Sequence, residues 1–239
     1  LVVHLPHSAL AVPSPWREQI VLSDDALARE LLLMTDRYTD ELFANPVTDR
    51  GLRFVNRVSR LVCDPARFPD DADAPMAARG MGAVYVRRQD GAPLRKPDFG
   101  EADRARVMDA LFHPYARALA DVVDGCLARF GRCLVRDGHS FPCEPLPYED
   151  PSLDRPDVCL GFEPFHAPEP LVVALACACE RAGLRVGRNT PFAGSYVPLA
   201  HYRSDPRVAS VMVELRRDLY MDEATGERLD DLEDPFKLY

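Results

Sequence analysis

The sequence predicts one α/β domain built on a mixed, mainly parallel β-sheet with helices on both faces. Three observations predict it. Short apolar runs rich in Val and Leu (Leu1–Leu5, Arg132–Val135 and Val208–Val213) have the composition and length of buried strands. Helical patterns alternate with them, the order that covers a sheet on both sides. A length of 239 residues, 47% of them hydrophobic, suits a single domain over residues 1–239 with a sizeable core.

The elements follow in chain order. After the first run, Ser23-Asp24-Asp25 starts a helix that should reach about Phe43, with Leu27, Leu31, Leu32 and Met34 on its apolar positions. Arg53–Val62 reads as extended, Pro69–Pro75 as an acidic loop and Met81–Val86 as a further strand. Asp98–Phe130 is helical in pattern, with a break or kink at Pro114. Pro142–Pro170 is proline-rich and aperiodic, so it reads as one long loop. Leu171–Ala182 is a helix stopped by Gly183, with a short strand near Leu184–Val186. The acidic tail after Met221 should be peripheral.

Composition narrows the function classes. A net charge of -9 argues against nucleic acid, whose binding needs dense phosphate neutralisation by Lys and Arg. The longest apolar run, Leu171–Cys179, is far too short to span a membrane. Seven scattered cysteines without a C-x-x-C pair read as reduced thiols in a cytoplasmic protein.

Reactive side chains follow the three strand-like runs: Pro6-His7-Ser8, Asp137-Gly138-His139-Ser140 and Glu214-Leu215-Arg216-Arg217-Asp218. In open α/β sheets, ligands bind beyond the carboxyl ends of strands. Two imidazoles brought to one rim suit a divalent metal, and a carboxylate would complete a three-ligand site with an open position. Either histidine alone could be structural. Asp36 and Asp40, four residues apart on the expected helix, are candidates for the carboxylate, although spacing alone also fits an exposed helix end. Glu214 at the end of a buried strand is costly unless paired or functional. It reads as a general base, with an ion pair to Arg216 or Arg217 as the structural alternative. Arg57, Arg60 and Arg67 offer planar forks for a carboxylate. They could equally pair with Asp64 or other loop acids. The turn-rich Asn189–Tyr196 stretch could present an amide and backbone N–H groups to a carbonyl.

Six stretches resemble, in order, the N-formylglutamate amidohydrolase family: Pro6-His7-Ser8, Thr35–Leu42, Asn56–Leu61, Asp137–Ser140, Asn189–Gly194 and Glu214–Met221. The resemblance implies a fold like that of the zinc carboxypeptidases and aspartoacylases. It implies one zinc held by His7, Asp36 (or Asp40) and His139, with Glu214 as base. Arg57 or Arg60 would grip a substrate carboxylate, and Asn189 or Arg216 would contact the substrate. The implied activity is hydrolysis of a small N-acyl amino acid with an acidic side chain, N-formyl-L-glutamate first. Two readings compete with it. Gly138-His139-Ser140-Phe141-Pro142 half matches the nucleophile elbow of a serine amidase, but Pro142 stands where the turn needs glycine. A catalytically silent relative that binds a metabolite or protein is the other.

Overall fold

A computed structural model describes residues 1–44 and 51–229. Six strands, β1 (Val2–Leu5), β2 (Leu52–Val55), β3 (Cys133–Phe141), β4 (Val158–Gly161), β5 (Val186–Arg188) and β6 (Val208–Arg216), form one sheet in the order β2-β1-β3-β6-β4-β5. All neighbouring pairs are parallel except β4 with β6, so the sheet is mixed and mainly parallel, as the sequence implies.

Side chains alternate along each strand, so odd and even positions face opposite sides. On one side Val3, Leu5, Val211, Val213 and Leu215 join Val172, Ala176 and Cys179 of helix α6 (Glu169–Arg181) in a continuous apolar layer. On the other, Val2, Cys133, Val135 and Val208 pack under Leu119, Val123 and Leu127 of helix α5 (His113–Phe130). That second face is apolar only along its first half. Farther along the same strands it carries His4, Asp137, His139 and Glu214, all buried.

The remaining helices are short. Helix α1 is Ser14–Arg17, α2 is Asp24–Met34, α3 is Thr39–Leu42 and α4 is Glu101–Val107. The helix begun at Ser23, whose hydroxyl accepts from the Ala26 N–H, does not run on to Phe43. Thr35 turns extended (φ -90°, ψ 134°) and ends it, and the chain re-enters a helical turn only at Thr39. The expected strand at Met81–Val86 is reduced to an isolated bridge, Met81 to Tyr85, because no neighbouring strand pairs with it. Arg53–Val62 is strand only to Val55. One turn of π-helix, Met108–Phe112, joins α4 to α5 just before Pro114, so the helical run widens locally where the proline cannot donate instead of breaking.

Pro142–Pro170 is not all loop: it contains β4, which enters the sheet antiparallel to β6. Within β4, Gly161 lies so close to other chain that an added Cβ would sit 2.5 Å from the carbonyl oxygen of Gly194. Backbone on that side cannot yield as a side chain would. Gly161→Ala should therefore cost roughly 1–3 kcal/mol of stability by overpacking. Urea denaturation measures it, and an unchanged midpoint would mean that the 194 loop moves freely.

Candidate metal and acyl-binding site

His7, Asp36 and His139 come together although they are far apart in sequence. Strand β1 delivers His7 one residue past Pro6, and that turn is fixed by Asn56, whose buried amide donates to the Pro6 carbonyl at 3.0 Å and to the Val58 carbonyl at 2.8 Å. The stop of α2 at Thr35 puts Asp36 against it, with the Asp36 N–H donating to the His7 carbonyl at 3.0 Å. His139 lies within β3, in register with Glu214 of β6, so the two side chains share one face of the sheet. Both strands extend farther than their apolar runs suggest, and the site residues stand in the strand ends themselves.

Three atoms converge. His7 Nδ1 and His139 Nδ1 are 3.1 Å apart, and Asp36 Oδ2 lies 3.4 Å from the first and 3.2 Å from the second. The far sides of both rings are taken: His7 Nε2 is 2.7 Å from Asp64 Oδ1, and His139 Nε2 is 2.9 Å from Asp137 Oδ1. A carboxylate can only accept, so each Nε2 is assigned the ring proton and each Nδ1 is left as a lone pair. Two nitrogen lone pairs and a carboxylate oxygen then point at one another with no donor between them. A shared cation satisfies all three at once. Their separations match the ~3.3 Å edges of a tetrahedron with metal–ligand bonds near 2.0–2.1 Å. The residues therefore fit a divalent metal, and imidazoles oriented by carboxylates are the usual support for one. Asp40 is not in this group; its backbone carbonyl accepts from Arg53 at 3.5 Å.

The surrounding charges prepare the donors. Burial resists ionisation of Asp36, but the two imidazoles against it and the Arg217 guanidinium outweigh it, holding the carboxyl well below its usual range. Asp64 behaves likewise: burial is overcome by the His7 imidazole against it and by the Arg60 guanidinium. Glu214 shows the opposite balance. Burial is the largest influence, only partly offset by His139, and its carboxyl rises to about 7. Its Oε2 is buried with no hydrogen-bond partner among the described residues.

The arginines sort differently from the sequence expectation. Arg57 is exposed and does not line the cleft. Arg60 does line it, donating to Asp64 Oδ2 at 2.9 Å and to the Tyr85 hydroxyl at 3.2 Å. Arg67 also lines it, 29% exposed, with Nε 3.4 Å from Asp64 Oδ2. Arg216 is held away from the cleft by Asp218, Asp157 and the Arg155 carbonyl. Its neighbour Arg217 turns inward instead, because the chain leaves β6 in a 3₁₀ turn (Arg217–Leu219). Buried there, Arg217 donates to Asp36 Oδ1 at 3.0 Å and to the Leu33 carbonyl at 2.6 Å. Asn189 does not line the cleft; its side-chain oxygen accepts from the N–H groups of Phe162 and Gly194 and shapes the loop. The loop itself, from Pro191 to Ala200, forms one wall. Ser140 alternates to the other face of β3 from His139, and its hydroxyl accepts from Arg217 Nε at 3.2 Å rather than meeting a base.

His7, His139, Glu214, Arg60, Arg67 and Arg217 open into a cleft of ≈ 850 Å³. The family model for N-formylglutamate amidohydrolase matches residues 1–221. This chain belongs to the N-formylglutamate amidohydrolase family. Two N-formylglutamate deformylases resemble it along most of their length. That of Pseudomonas putida is 29% identical over 231 residues, 93% of this chain and 82% of its own. That of Pseudomonas aeruginosa is 25% identical over 228 residues, 90% of this chain and 82% of its own. A crystal structure of N-formylglutamate amidohydrolase from Ralstonia eutropha JMP134 shares the fold, with a TM-score of 0.79 and 24% identity over 96% of this chain and 86% of that one. A structure from Agrobacterium tumefaciens is more distant, with a TM-score of 0.61 and 22% identity over 94% of this chain and 82% of that one. No helix among the described residues of this amidohydrolase-family chain is long and apolar enough to cross a membrane.

Asp64 and Asp137 each orient one imidazole, so replacing either with Asn should weaken metal binding about 10–100-fold while the metal stoichiometry at saturation is kept. Competition of zinc with a chelating dye reads this directly; unchanged affinity in both variants would remove the two acids from the site.

Proposed function

We propose that this chain is a metal-dependent amidohydrolase that cleaves the amide bond of a small N-acyl amino acid, with N-formyl-L-glutamate the first substrate to try and zinc the expected metal. The single observation that carries the reading is the meeting of His7 Nδ1, Asp36 Oδ2 and His139 Nδ1 at the spacing of metal ligands, with the far nitrogen of each ring held by a carboxylate. The names of the two Pseudomonas relatives support the substrate. The free state of all seven cysteines supports a reducing, cytoplasmic setting.

Bound by those three side chains, a divalent cation supplies Lewis acidity toward the scissile carbonyl and the attacking water. The protein's own groups do the rest. Glu214, beside His139 on the same face of the sheet, is placed to take a proton from the attacking water and return it to the leaving nitrogen. Its poise near neutral pH suits both halves of that transfer. Arg67, the most exposed of the cleft's guanidiniums near Asp64, is the better candidate than Arg57 for gripping a substrate carboxylate, with Arg60 holding Asp64 in place behind it. Arg217 is committed to Asp36 and acts by fixing that ligand. Asn189 and Arg216 act at one remove, by shaping the wall loop and the end of β6.

Two variants test this. His139→Ala should lose metal and activity together, with its circular dichroism spectrum unchanged. Glu214→Gln should keep one metal per chain by elemental analysis and lose about 10²–10⁴-fold in kcat, the usual yield of a positioned acid–base group. A fully active His139→Ala enzyme would overturn the metal site; a fully active Glu214→Gln enzyme would overturn the base.

A further inference from the structure

The cleft is much larger, and far more apolar, than N-formylglutamate requires. Its dozen heavy atoms, at about 30 Å³ for each water-sized group, would fill ~360 Å³, well under half of the ≈ 850 Å³ available. The excess is not polar space. Beyond the metal donors, Glu214, Glu149 and the arginines, much of the wall is apolar, with Phe68, Met76, Phe112, Phe141, Phe192 and Tyr202 its largest members.

These side chains come from four separate parts of the chain, and four of them pair as two ring contacts at the cleft. The Phe68 ring, on the loop after Arg67, packs edge-on against Tyr202 from the 191–202 loop, with centroids 5.7 Å apart. Phe141, at the end of β3, packs against Phe192 of the same wall loop at 5.5 Å. On the third side α5 presents Ala116 and Ala120, one turn apart on one helix face, where larger residues would fill the space. Small residues on the helix and large rings on the loops leave an aromatic-walled recess beside the site. A formyl group has one carbon and cannot cover such walls. An apolar substituent of ring size can, and the transfer of its surface from water favours binding.

We infer that the preferred substrate is an N-acyl amino acid carrying a bulky apolar substituent, aromatic or a medium-length alkyl chain, seated in the recess between the Phe68 and Phe192 loops. This rests on the amidohydrolase reading above and specifies its substrate. The reaction is unchanged: water adds to the carbonyl carbon, the C–N bond breaks, the acyl carbon leaves as a carboxylic acid, and the amino acid nitrogen departs as the amine. The substituent can belong to the acyl group or to the amino acid side chain, since both flank the scissile bond.

The test compares kcat/KM of the zinc-loaded enzyme for N-formyl-L-glutamate, N-phenylacetyl-L-glutamate and N-formyl-L-phenylalanine. At least a tenfold preference for one of the bulky substrates over N-formylglutamate is expected, and which one wins assigns the recess to the acyl group or to the side chain. The variant Ala120→Trp, which fills the recess from α5, should lower kcat/KM for the preferred bulky substrate at least tenfold more than for N-formylglutamate. Hydrolysis of N-formylglutamate without a tenfold preference for either bulky substrate overturns the inference and leaves the amidohydrolase reading standing. Failure to hydrolyse any of the three by an enzyme holding one metal overturns both.

Discussion

Two imidazole nitrogens and one carboxylate oxygen facing one another inside the protein form an arrangement that is stable only because something else is arranged around it. His7, Asp36 and His139 are almost fully buried, and convergent acceptors without a donor repel. The outer contacts determine that they converge instead of turning away. Asp64 and Asp137 hold the far nitrogens of the two rings, and Arg217 holds the second oxygen of Asp36. Each inner atom is thus aimed by a partner on its opposite side. The partners are themselves anchored. Asp64 also accepts from Arg60 and from the Tyr85 hydroxyl, while Asp137 is contacted by His4 Nδ1 at 2.7 Å and accepts from the Tyr196 N–H at 2.9 Å. A network of this kind is either satisfied throughout or a liability.

The sheet supplies the frame for that network. One face is apolar along β1 and β6, with Arg136 and Ser140 of β3 as its polar members, and carries the fold; the other changes character half-way along β1, β3 and β6. Val2, Val135 and Cys133 under α5 give way to His4, Asp137 and His139 in the same strands, two residues at a time. Because the period of a strand is two, the switch costs the opposite face nothing. The three strands are parallel, so their polar halves lie at the same end, and the cleft opens where α5 no longer covers them.

Much of this was legible in the sequence. Apolar runs named β1, β3 and β6, and the placing of His7, His139 and Glu214 at their ends followed from where ligands bind in such sheets. Three kinds of information were not legible. The stop of α2 at Thr35 has no Gly or Pro to announce it, so Asp36 and Asp40 looked equivalent until the chain turned between them. Adjacent arginines cannot be told apart when a strand ends in a 3₁₀ turn; Arg216 and Arg217 face opposite ways for that reason alone. β4 is four residues long and hidden among prolines, and it becomes a strand only because β6 offers an edge to it. The orienting acids Asp64 and Asp137 had a weak signal: each sits within a few residues of an arginine or histidine already suspected, but their roles depend on contacts across the fold.

Charge at the site shows how an acidic protein would favour the anionic substrate proposed for it. Around the site, Asp36, Asp64, Asp137 and Glu214 face Arg60, Arg67 and Arg217, so with neutral imidazoles and all four acids ionised the cluster is short of one positive charge. A divalent cation reverses the sign and leaves an excess of one, in a setting of low dielectric where a single charge acts strongly. A substrate carboxylate then restores neutrality. Exposed charges elsewhere on the chain act through solvent and salt, which screen them. On the proposed reading, a preference for an anion would be set locally by metal loading, and the apolar walls of the cleft would lengthen the reach of that local charge by keeping water from it.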